Sequence, residues 1–375
     1  MAEAIPTLLS YCDSSQAIAE LPAEGLPCSP AICANIASHA LRSPGVWTTW
    51  DCAQLDAEFD CMGFFSELRD PTMWYSKLIV AILALLFFTF LAAGAISSYL
   101  VYRMVSPAQG RAESDLRDFP GHPEVLSYTV AGEGPRTGWF FPGLKSAPSV
   151  ILCPAYQSSR AELVTLASAL QEQQYNVLLF DFSAQGSSGG HSTLGYQEVS
   201  ELRAAMDAVA HRGDVDPQRF GLWGVNLGAY VALAEATSDP RVRAVAVESP
   251  YDEPKVMVGL LIARSGLGSL PLITRTADWV FGLLNFQYRA VPPLKSRLAR
   301  LTGTAQLYME SPDEPGFATT TREIFRLTPP PHELVTLPHG NYGGMQDDEK
   351  RSYENRIVSF FLANLPATGA PATQR

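Results

Sequence analysis

Two glycine-rich stretches, each directly after a predicted strand, contain the residues best placed for chemistry. The first reads Gly221-Leu-Trp-Gly-Val-Asn-Leu-Gly228 and the second Asp181-Phe-Ser-Ala-Gln-Gly-Ser-Ser-Gly-Gly190. A tight strand-to-helix turn presents one side chain at the helix N-terminus, where a nucleophile is well exposed. Asn226 holds that place in the first stretch. Because a carboxamide has no ionisable hydroxyl or thiol, Asn226 is a very poor nucleophile.

The sequence predicts no metal site, no cofactor and no nucleic-acid partner. The chain of 375 residues has a net charge of −11 and no basic run, which argues against nucleic acid. No H-x-x-x-H or H-E-x-x-H spacing occurs among its six histidines, which are scattered along the chain.

Strands alternate with helices over most of the chain, which predicts an α/β fold with a mostly parallel sheet covered by helices on both faces. The predicted helices are 161–173, 196–211, 227–237 and 347–365. The predicted strands are 125–131, 137–141, 149–153, 176–182, 219–225, 242–247, 305–309 and 333–337.

The order of these motifs resembles the α/β-hydrolase fold family, in particular its serine aminopeptidase-like members. The stretch around Asn226 is similar to the family's nucleophile elbow, G-x-S-x-G, and residues 181–190 are similar to its loop D-x-R-G-x-G-x-S-x-G. The resemblance covers residues 125–365. It implies an α/β-hydrolase-type sheet carrying a catalytic triad at the ends of the strands.

The resemblance also implies that this triad is degenerate. Asn226 replaces the serine, and the acid falls in the loop after strand 305–309, where Asp313 is the candidate and Glu314 its neighbour. The family's P-G-x-G-H-x-G pattern corresponds to Pro338-His-Gly-Asn-Tyr-Gly-Gly344, so Tyr342 holds the histidine position. His339 is the candidate substitute.

The oxyanion-hole-like donors that the resemblance implies are backbone N–H groups of Leu227 and of the loop at Ala155 and Tyr156. Backbone donors survive any substitution, so an anion-binding geometry persists without a nucleophile. A displaced serine acting with His339 is the alternative, and the candidates on the loops at the strand ends are Ser158, Ser159, Ser187 and Ser188.

Residues 78–102 are 25 consecutive uncharged residues, bracketed by Lys77 and Arg103. As a helix they extend ~37 Å, enough to cross a hydrocarbon core of ~30 Å, so the sequence predicts a single transmembrane helix. The lipid bilayer is therefore a predicted partner. A slight excess of arginine after the span favours a cytoplasmic or matrix location for the large domain, in a bacterial or mitochondrial inner membrane.

Residues 1–76 form an acidic, cysteine-rich region of different character, with ten acidic and two basic residues. It contains five of the six cysteines, Cys12, Cys28, Cys33, Cys52 and Cys61. Disulfides would place this region on the oxidising side of the membrane, and buried free thiols are the alternative. Zinc fits the spacings poorly.

The predicted organisation has five parts: the N-terminal region 1–76, a transmembrane helix 77–103, a linker 104–122, an α/β-hydrolase-like domain 123–366, and a flexible tail 367–375. A cap insertion is predicted at about 254–301 within the domain. We expect a membrane-anchored pseudoenzyme with a structural or ligand-binding role, for example as an accessory subunit of a membrane complex. The alternative is an active serine-type hydrolase, such as an esterase, lipase or peptidase, with a non-standard catalytic set.

Overall fold

The computed structural model describes residues 74–107, 121–186 and 188–367. The chain divides into two compact units, residues 1–86 and 87–375. The cysteine-rich region, most of the predicted linker and nearly all of the predicted tail lie outside the described residues, so the disulfide prediction for Cys12, Cys28, Cys33, Cys52 and Cys61 stays a prediction. Cys153, the remaining cysteine, is a buried free thiol.

Helix α1, Trp74–Val105, contains the predicted span and extends beyond both of its ends. Its 32 residues correspond to a length of ~48 Å, and it is the one helix of the described residues that is long and apolar enough to cross a membrane. Most of its large apolar side chains up to Tyr102 are exposed, as expected for a lipid-facing helix.

The second unit is built on one eight-stranded sheet in the order β1-β2-β4-β3-β5-β6-β7-β8. Strand β2 pairs antiparallel with β1 and β4, and the other neighbours are parallel, which confirms the predicted fold class. The strands are β1 Glu124–Val130, β2 Gly134–Phe141, β3 Ala147–Cys153, β4 Asn176–Phe180, β5 Val215–Val225, β6 Val242–Glu248, β7 Ala305–Glu310 and β8 His332–Thr336.

Seven further α-helices follow in the described part of the chain: α2 Val164–Glu172, α3 Glu198–Ala210, α4 Leu227–Ala236, α5 Pro254–Arg264, α6 Pro271–Leu284, α7 Pro315–Leu327 and α8 Asp347–Asn364. Helices α5 and α6, with three short 3₁₀ turns, make up residues 254–301, which we call the cap segment.

The two faces of the sheet bury separate apolar cores because side chains alternate along each strand. In β3, Ile151 and Cys153 face the core formed with α3 and α4, whereas Val150 and Leu152 face the core formed with α2 and α8. Burial on both faces explains why the central strands read as continuous apolar runs.

The C-terminal part of α1 belongs to the second unit and packs against the rest of it along one stripe of buried residues, Ala93, Ser97, Val101, Met104 and Val105. The Ser97 hydroxyl donates a hydrogen bond to the backbone oxygen of Ile273 at 3.0 Å and lies 2.6 Å from the Thr276 hydroxyl. Val105 accepts a backbone hydrogen bond from Ser192. The end of α1 is therefore part of the folded domain.

The close approach of the β5–α4 turn to β3 requires glycine at position 228, since a Cβ atom there would lie 2.8 Å from the backbone oxygen of Pro154 and closer still to that of Cys153. We expect Gly228→Ala to cost roughly 1–3 kcal/mol of unfolding free energy through overpacking. Thermal unfolding of the full chain in detergent measures the effect.

Gly259 provides the matched control, because it lies in α5 and a Cβ atom at this position would have nothing within 4 Å. Gly259→Ala should raise stability by about 0.5–1 kcal/mol, as alanine loses less backbone entropy in a helix. Equal unfolding temperatures for the two variants would contradict the close approach at the turn.

Candidate functional site

Asn226 occupies the sharp turn between β5 and α4, with φ 40° and ψ −95°. Asparagine is among the few residues other than glycine that adopt positive φ readily. The turn is fixed by backbone hydrogen bonds on both sides: Asn226 donates to Glu248, and its carbonyl oxygen accepts from Tyr230, each at 2.9 Å. The backbone of a nucleophile elbow is thus formed with an amide side chain at its apex.

The carboxamide oxygen of Asn226 accepts hydrogen bonds from two backbone N–H groups. The Tyr156 N–H lies 2.8 Å from it and the Leu227 N–H lies 2.5 Å away. Two N–H donors that converge on one oxygen, one from the residue after the elbow and one from the loop after β3, have the geometry of an oxyanion hole. Ala155, the other predicted donor, contributes its carbonyl oxygen to a hydrogen bond from the Ser158 N–H within the same loop.

The loop that carries Tyr156 is held in place by the second glycine-rich stretch. The buried Gln185 side chain accepts from the Gln157 N–H at 2.6 Å, and the Asp181 carboxylate accepts from the Arg160 N–H at 2.7 Å. Asp181 and Gln185 therefore hold the loop that donates to Asn226.

Tyr156 also connects this loop to helix α1. Its hydroxyl donates to the backbone oxygen of Met104 at 3.0 Å, and burial raises its pKa to about 12. The hydroxyl therefore remains protonated at neutral pH and acts as a donor rather than as a base.

A cavity of about 650 Å³ lies beside Asn226. Its apolar lining comes from α1, α5 and α7, and among the described residues that line it there is no histidine and no cysteine. The full lining is Leu100, Arg103, Met104, Tyr156, Gln157, Ser158, Glu162, Asn226, Met257, Leu261, Arg264, Glu314, Phe317, Asn341, Gly343 and Gly344.

Asp313, the predicted second triad position, binds the loop after β8 and the neighbouring Ser311 hydroxyl. Its two carboxylate oxygens accept from the Gly340 N–H, each at 3.1 Å, and one also accepts from the Ser311 hydroxyl. The neighbouring Glu314 lines the cavity, where it lies 3.6 Å from the guanidinium of Arg264. Burial raises the pKa of Glu314.

Tyr342, predicted at the third triad position, lies outside the cavity. Its buried ring packs against Trp223 and Tyr353, and its hydroxyl donates to Glu354 at 2.6 Å and lies 3.0 Å from the Thr165 hydroxyl. Asn226, Asp313 and Tyr342 therefore make no hydrogen bond to one another. The aromatic ring enters the core under α8 because that core is apolar and close to the loop.

Asn341, one residue earlier, lines the cavity in Tyr342's place, with φ 66°. His339, the predicted substitute, is exposed, and its ring nitrogen Nδ1 lies 3.1 Å from Glu349 on α8. The elbow turn and the loop after β8, where the resemblance predicts the serine and the histidine, thus each present an asparagine to the cavity, Asn226 and Asn341. Because the backbone at Asn341 is left-handed, the Asn341 side chain points to the cavity and the Tyr342 side chain points to the core. The position of a residue in the sequence motif does not predict this.

Glu248, which the sequence analysis missed, supports the same loop from the end of β6. Its side chain is fully buried, and one carboxylate oxygen accepts from the Asn341 N–H at 2.7 Å. Burial raises the pKa of Glu248 to about 7, and hydrogen bonds from Tyr353 and from the Asn341 N–H oppose this rise.

Comparison with known proteins supports the fold of the second unit. No family model matches the chain. The uncharacterized protein Rv2307c of Mycobacterium tuberculosis is 33% identical over 149 residues, which is 39% of this chain and 51% of that protein. The chain thus spans about half the length of this relative.

Two further proteins match over more of the domain. The uncharacterized protein YfhR of Escherichia coli K12 is 29% identical over 255 residues, covering 66% of this chain and 83% of that protein. The solved structure of the Pyrococcus furiosus esterase Pf2001 superposes with a TM-score of 0.54 and 19% identity, over 70% of this chain and 99% of the esterase. At this identity the structural likeness shows a shared fold.

Asn226→Ala should destabilise the protein more than Asn226→Gly. Both variants remove the acceptor for two N–H groups, a loss of about 1–3 kcal/mol, but only alanine adds a strain of about 1–2 kcal/mol at positive φ. The thermal unfolding temperature should therefore fall in the order wild type, glycine, alanine. An alanine variant as stable as the glycine variant would show that the backbone at 226 is not strained.

Glu248→Gln should reduce the pH dependence of stability. Burial raises the Glu248 pKa from 4.5 to about 7. The protonated carboxyl therefore contributes to the free energy of unfolding in full below pH 4.5, and this contribution is lost as pH rises through about 7. The expected loss reaches ~3 kcal/mol at alkaline pH, and glutamine, which does not titrate, avoids it.

Thermal unfolding between about pH 5 and about pH 8 checks this. The glutamine variant should be the more stable one at the upper pH, and Glu172→Gln, at an exposed position, should behave as the wild type does. A wild-type profile that stays parallel to that of Glu248→Gln would exclude titration of Glu248 in this range.

Proposed function

The second unit has the α/β-hydrolase fold, and we propose that the protein is a membrane-anchored, catalytically inactive member of this fold class with a structural or ligand-binding role. The observation that carries the proposal is the pair of hydrogen bonds from the Tyr156 and Leu227 N–H groups to the Asn226 carboxamide oxygen. In an acyl-transfer enzyme such donors stabilise the negative charge that develops on the substrate oxygen. Here an internal oxygen already accepts from both.

Three features act together against hydrolysis by the triad mechanism. Position 226 has no nucleophilic atom, the two oxyanion donors are occupied, and the described cavity lining has no histidine to act as a base. Loss of the serine or the histidine of a triad alone lowers turnover by about six orders of magnitude. The remaining binding energy cannot replace this chemistry.

The cavity itself supports retained ligand binding. Its volume of about 650 Å³ is typical of small-molecule sites. Apolar side chains such as Leu100, Met257 and Phe317 lie beside the polar side chains of Asn226 and Asn341. Charged side chains of both signs also line the cavity: Arg103, Arg264, Glu162 and Glu314. A polar ligand with a smaller apolar part therefore fits this lining.

The alternative function is an active serine-type hydrolase, and one contact favours it. Ser158 lines the cavity and its hydroxyl donates to the Glu162 carboxylate at 2.8 Å. A nucleophile and a base are therefore in hydrogen-bond contact. Glu162 is exposed, however, and no second group orients the pair as the third member of a triad does. We therefore place this alternative second.

The wider role that we propose is that of an accessory subunit in a membrane protein complex. The transmembrane helix and the acidic N-terminal region motivate it, together with a site that lacks catalytic groups. We further propose that residues 1–76 face the oxidising side of a bacterial or mitochondrial inner membrane and that the second unit faces the cytoplasm or matrix. Gentle detergent extraction followed by native electrophoresis tests the proposal: a discrete large complex supports it, and a lone monomer opposes it.

Asn226→Ser alone should give no ester hydrolysis above the level of the wild type, because a serine at 226 would have no base beside it. Adding Asn341→His supplies an imidazole from the second cavity-facing position, so the double variant should exceed the single variant. Hydrolysis of p-nitrophenyl acetate by the purified full chain measures both, with Asn226→Ala as the background control. Robust turnover by the wild type or by Asn226→Ser alone would contradict the proposed inactivity.

A further inference from the structure

The cap segment, residues 254–301, has a charge opposite to that of the rest of the chain. It contains seven basic residues and one acidic residue, Asp278, within a chain whose net charge is −11. The basic residues are Lys255, Arg264, Arg275, Arg289, Lys295, Arg297 and Arg300. A cluster of this kind attracts anionic surfaces.

Three of these arginines are exposed and lie outside the ion pairs of the described residues. Arg275, Arg289 and Arg300 make no ion pair within the described part of the chain, whereas Lys255, for instance, pairs with Glu253. The Arg289 guanidinium stacks over the exposed ring of Phe286 at 4.0 Å. The guanidinium groups are therefore free to bind an external anion.

Helix α6 exposes an apolar stripe next to these charges. Leu272, Trp279 and Leu283 lie seven and four residues apart, on one face of the helix, and are 39%, 69% and 60% exposed. The opposite face, with Ile273 and Phe281, is buried in the core. Further exposed apolar side chains extend the stripe at the ends of the helix: Leu270, Leu284 and Phe286.

The stripe lies beside the part of α1 that packs on the second unit. Thr276, which falls in the same stripe between Leu272 and Trp279, meets the hydroxyl of Ser97 on α1. Around Ser97, α1 itself exposes Ile96 and Tyr99. The exposed apolar surface therefore continues from the long apolar helix onto the cap.

We propose that the cap segment is a second membrane-binding element, with α6 lying in the surface of the bilayer close to the C-terminal end of α1. Leu272, Trp279 and Leu283 insert among the acyl chains, and Arg275 and Arg289 bind the headgroups of anionic phospholipids, as does Arg300. An exposed apolar stripe flanked by arginines is the pattern of interfacial helices. Basic side chains near the membrane surface are attracted to anionic lipid.

Fluorescence quenching by brominated lipid tests the insertion directly. The full chain and its Trp279→Phe variant are reconstituted into vesicles of phosphatidylcholine and phosphatidylglycerol, with and without bromine on the acyl chains. The difference between the two proteins isolates the emission of Trp279, which should be largely lost in the brominated vesicles. Trp223→Phe serves as the matched control, since Trp223 is buried in the protein core and its emission should persist.

A Trp279 emission that is unaffected by bromine would overturn the proposal, because it would place α6 in water or under another protein. The conservative change to phenylalanine preserves the apolar surface, and the unfolding temperatures of both variants, which should match that of the wild type, check that they fold.

Charge reversal tests the lipid class. The combined variant Arg275→Glu, Arg289→Glu and Arg300→Glu should lose most of the Trp279 quenching, and the wild type should show less quenching in vesicles of phosphatidylcholine alone. Arg243→Glu with Arg326→Glu, at exposed positions outside the cap, is the control and should behave as the wild type does. If neither the triple charge reversal nor the removal of phosphatidylglycerol reduced the quenching of Trp279, the assignment to anionic lipid would be refuted.

Discussion

The arrangement of the site depends on one shared acceptor, the carboxamide oxygen of Asn226. Two backbone donors, at Tyr156 and Leu227, point at this oxygen from different elements of the fold. Donors turned away from their own secondary structure need a partner, and leaving such groups unsatisfied when buried costs about 1–3 kcal/mol. In an enzyme, water or substrate meets that need, whereas here the chain meets it with its own amide. The same contact that removes the oxyanion site also stabilises the turn and the facing loop.

The apolar helix α1 contributes more to this structure than an anchor does. Its C-terminal stripe, with Val101 and Met104, belongs to the larger of the two cores, and Leu100 and Arg103 line the cavity. The Met104 carbonyl accepts from Tyr156, whose N–H donates to Asn226. Two residue-to-residue contacts thus connect helix α1 with the apex of the elbow.

The fold was predictable from sequence because its main signals are local. Buried parallel strands give apolar runs, and the glycines at 224 and 228 mark the elbow whatever residue stands between them. Asn226 was found by the same route. Helix α7, Pro315–Leu327, was missed because it begins with Pro-Gly and carries three consecutive threonines, so its apolar positions do not stand out as a helical pattern. The strands at the sheet edges were also placed correctly to within about two residues, an ordinary margin for element boundaries.

The remaining parts of the site were not predictable, because they depend on how distant segments meet. Which of Asn341 and Tyr342 faces the cavity follows from the left-handed backbone at 341 and from the aromatic core beneath α8. Glu248 is a single acid at a strand end until the Asn341 loop folds onto it. The stripe of α1 that packs on the domain is as apolar as the faces that do not, so composition does not distinguish them.

The most direct test of catalytic loss is covalent labelling of the purified wild-type full chain with a fluorophosphonate, followed by intact mass and peptide mapping. The account predicts no adduct under conditions that fully label an active serine esterase. A stoichiometric adduct, whether on Ser158 or on any other hydroxyl of the cavity, would contradict it.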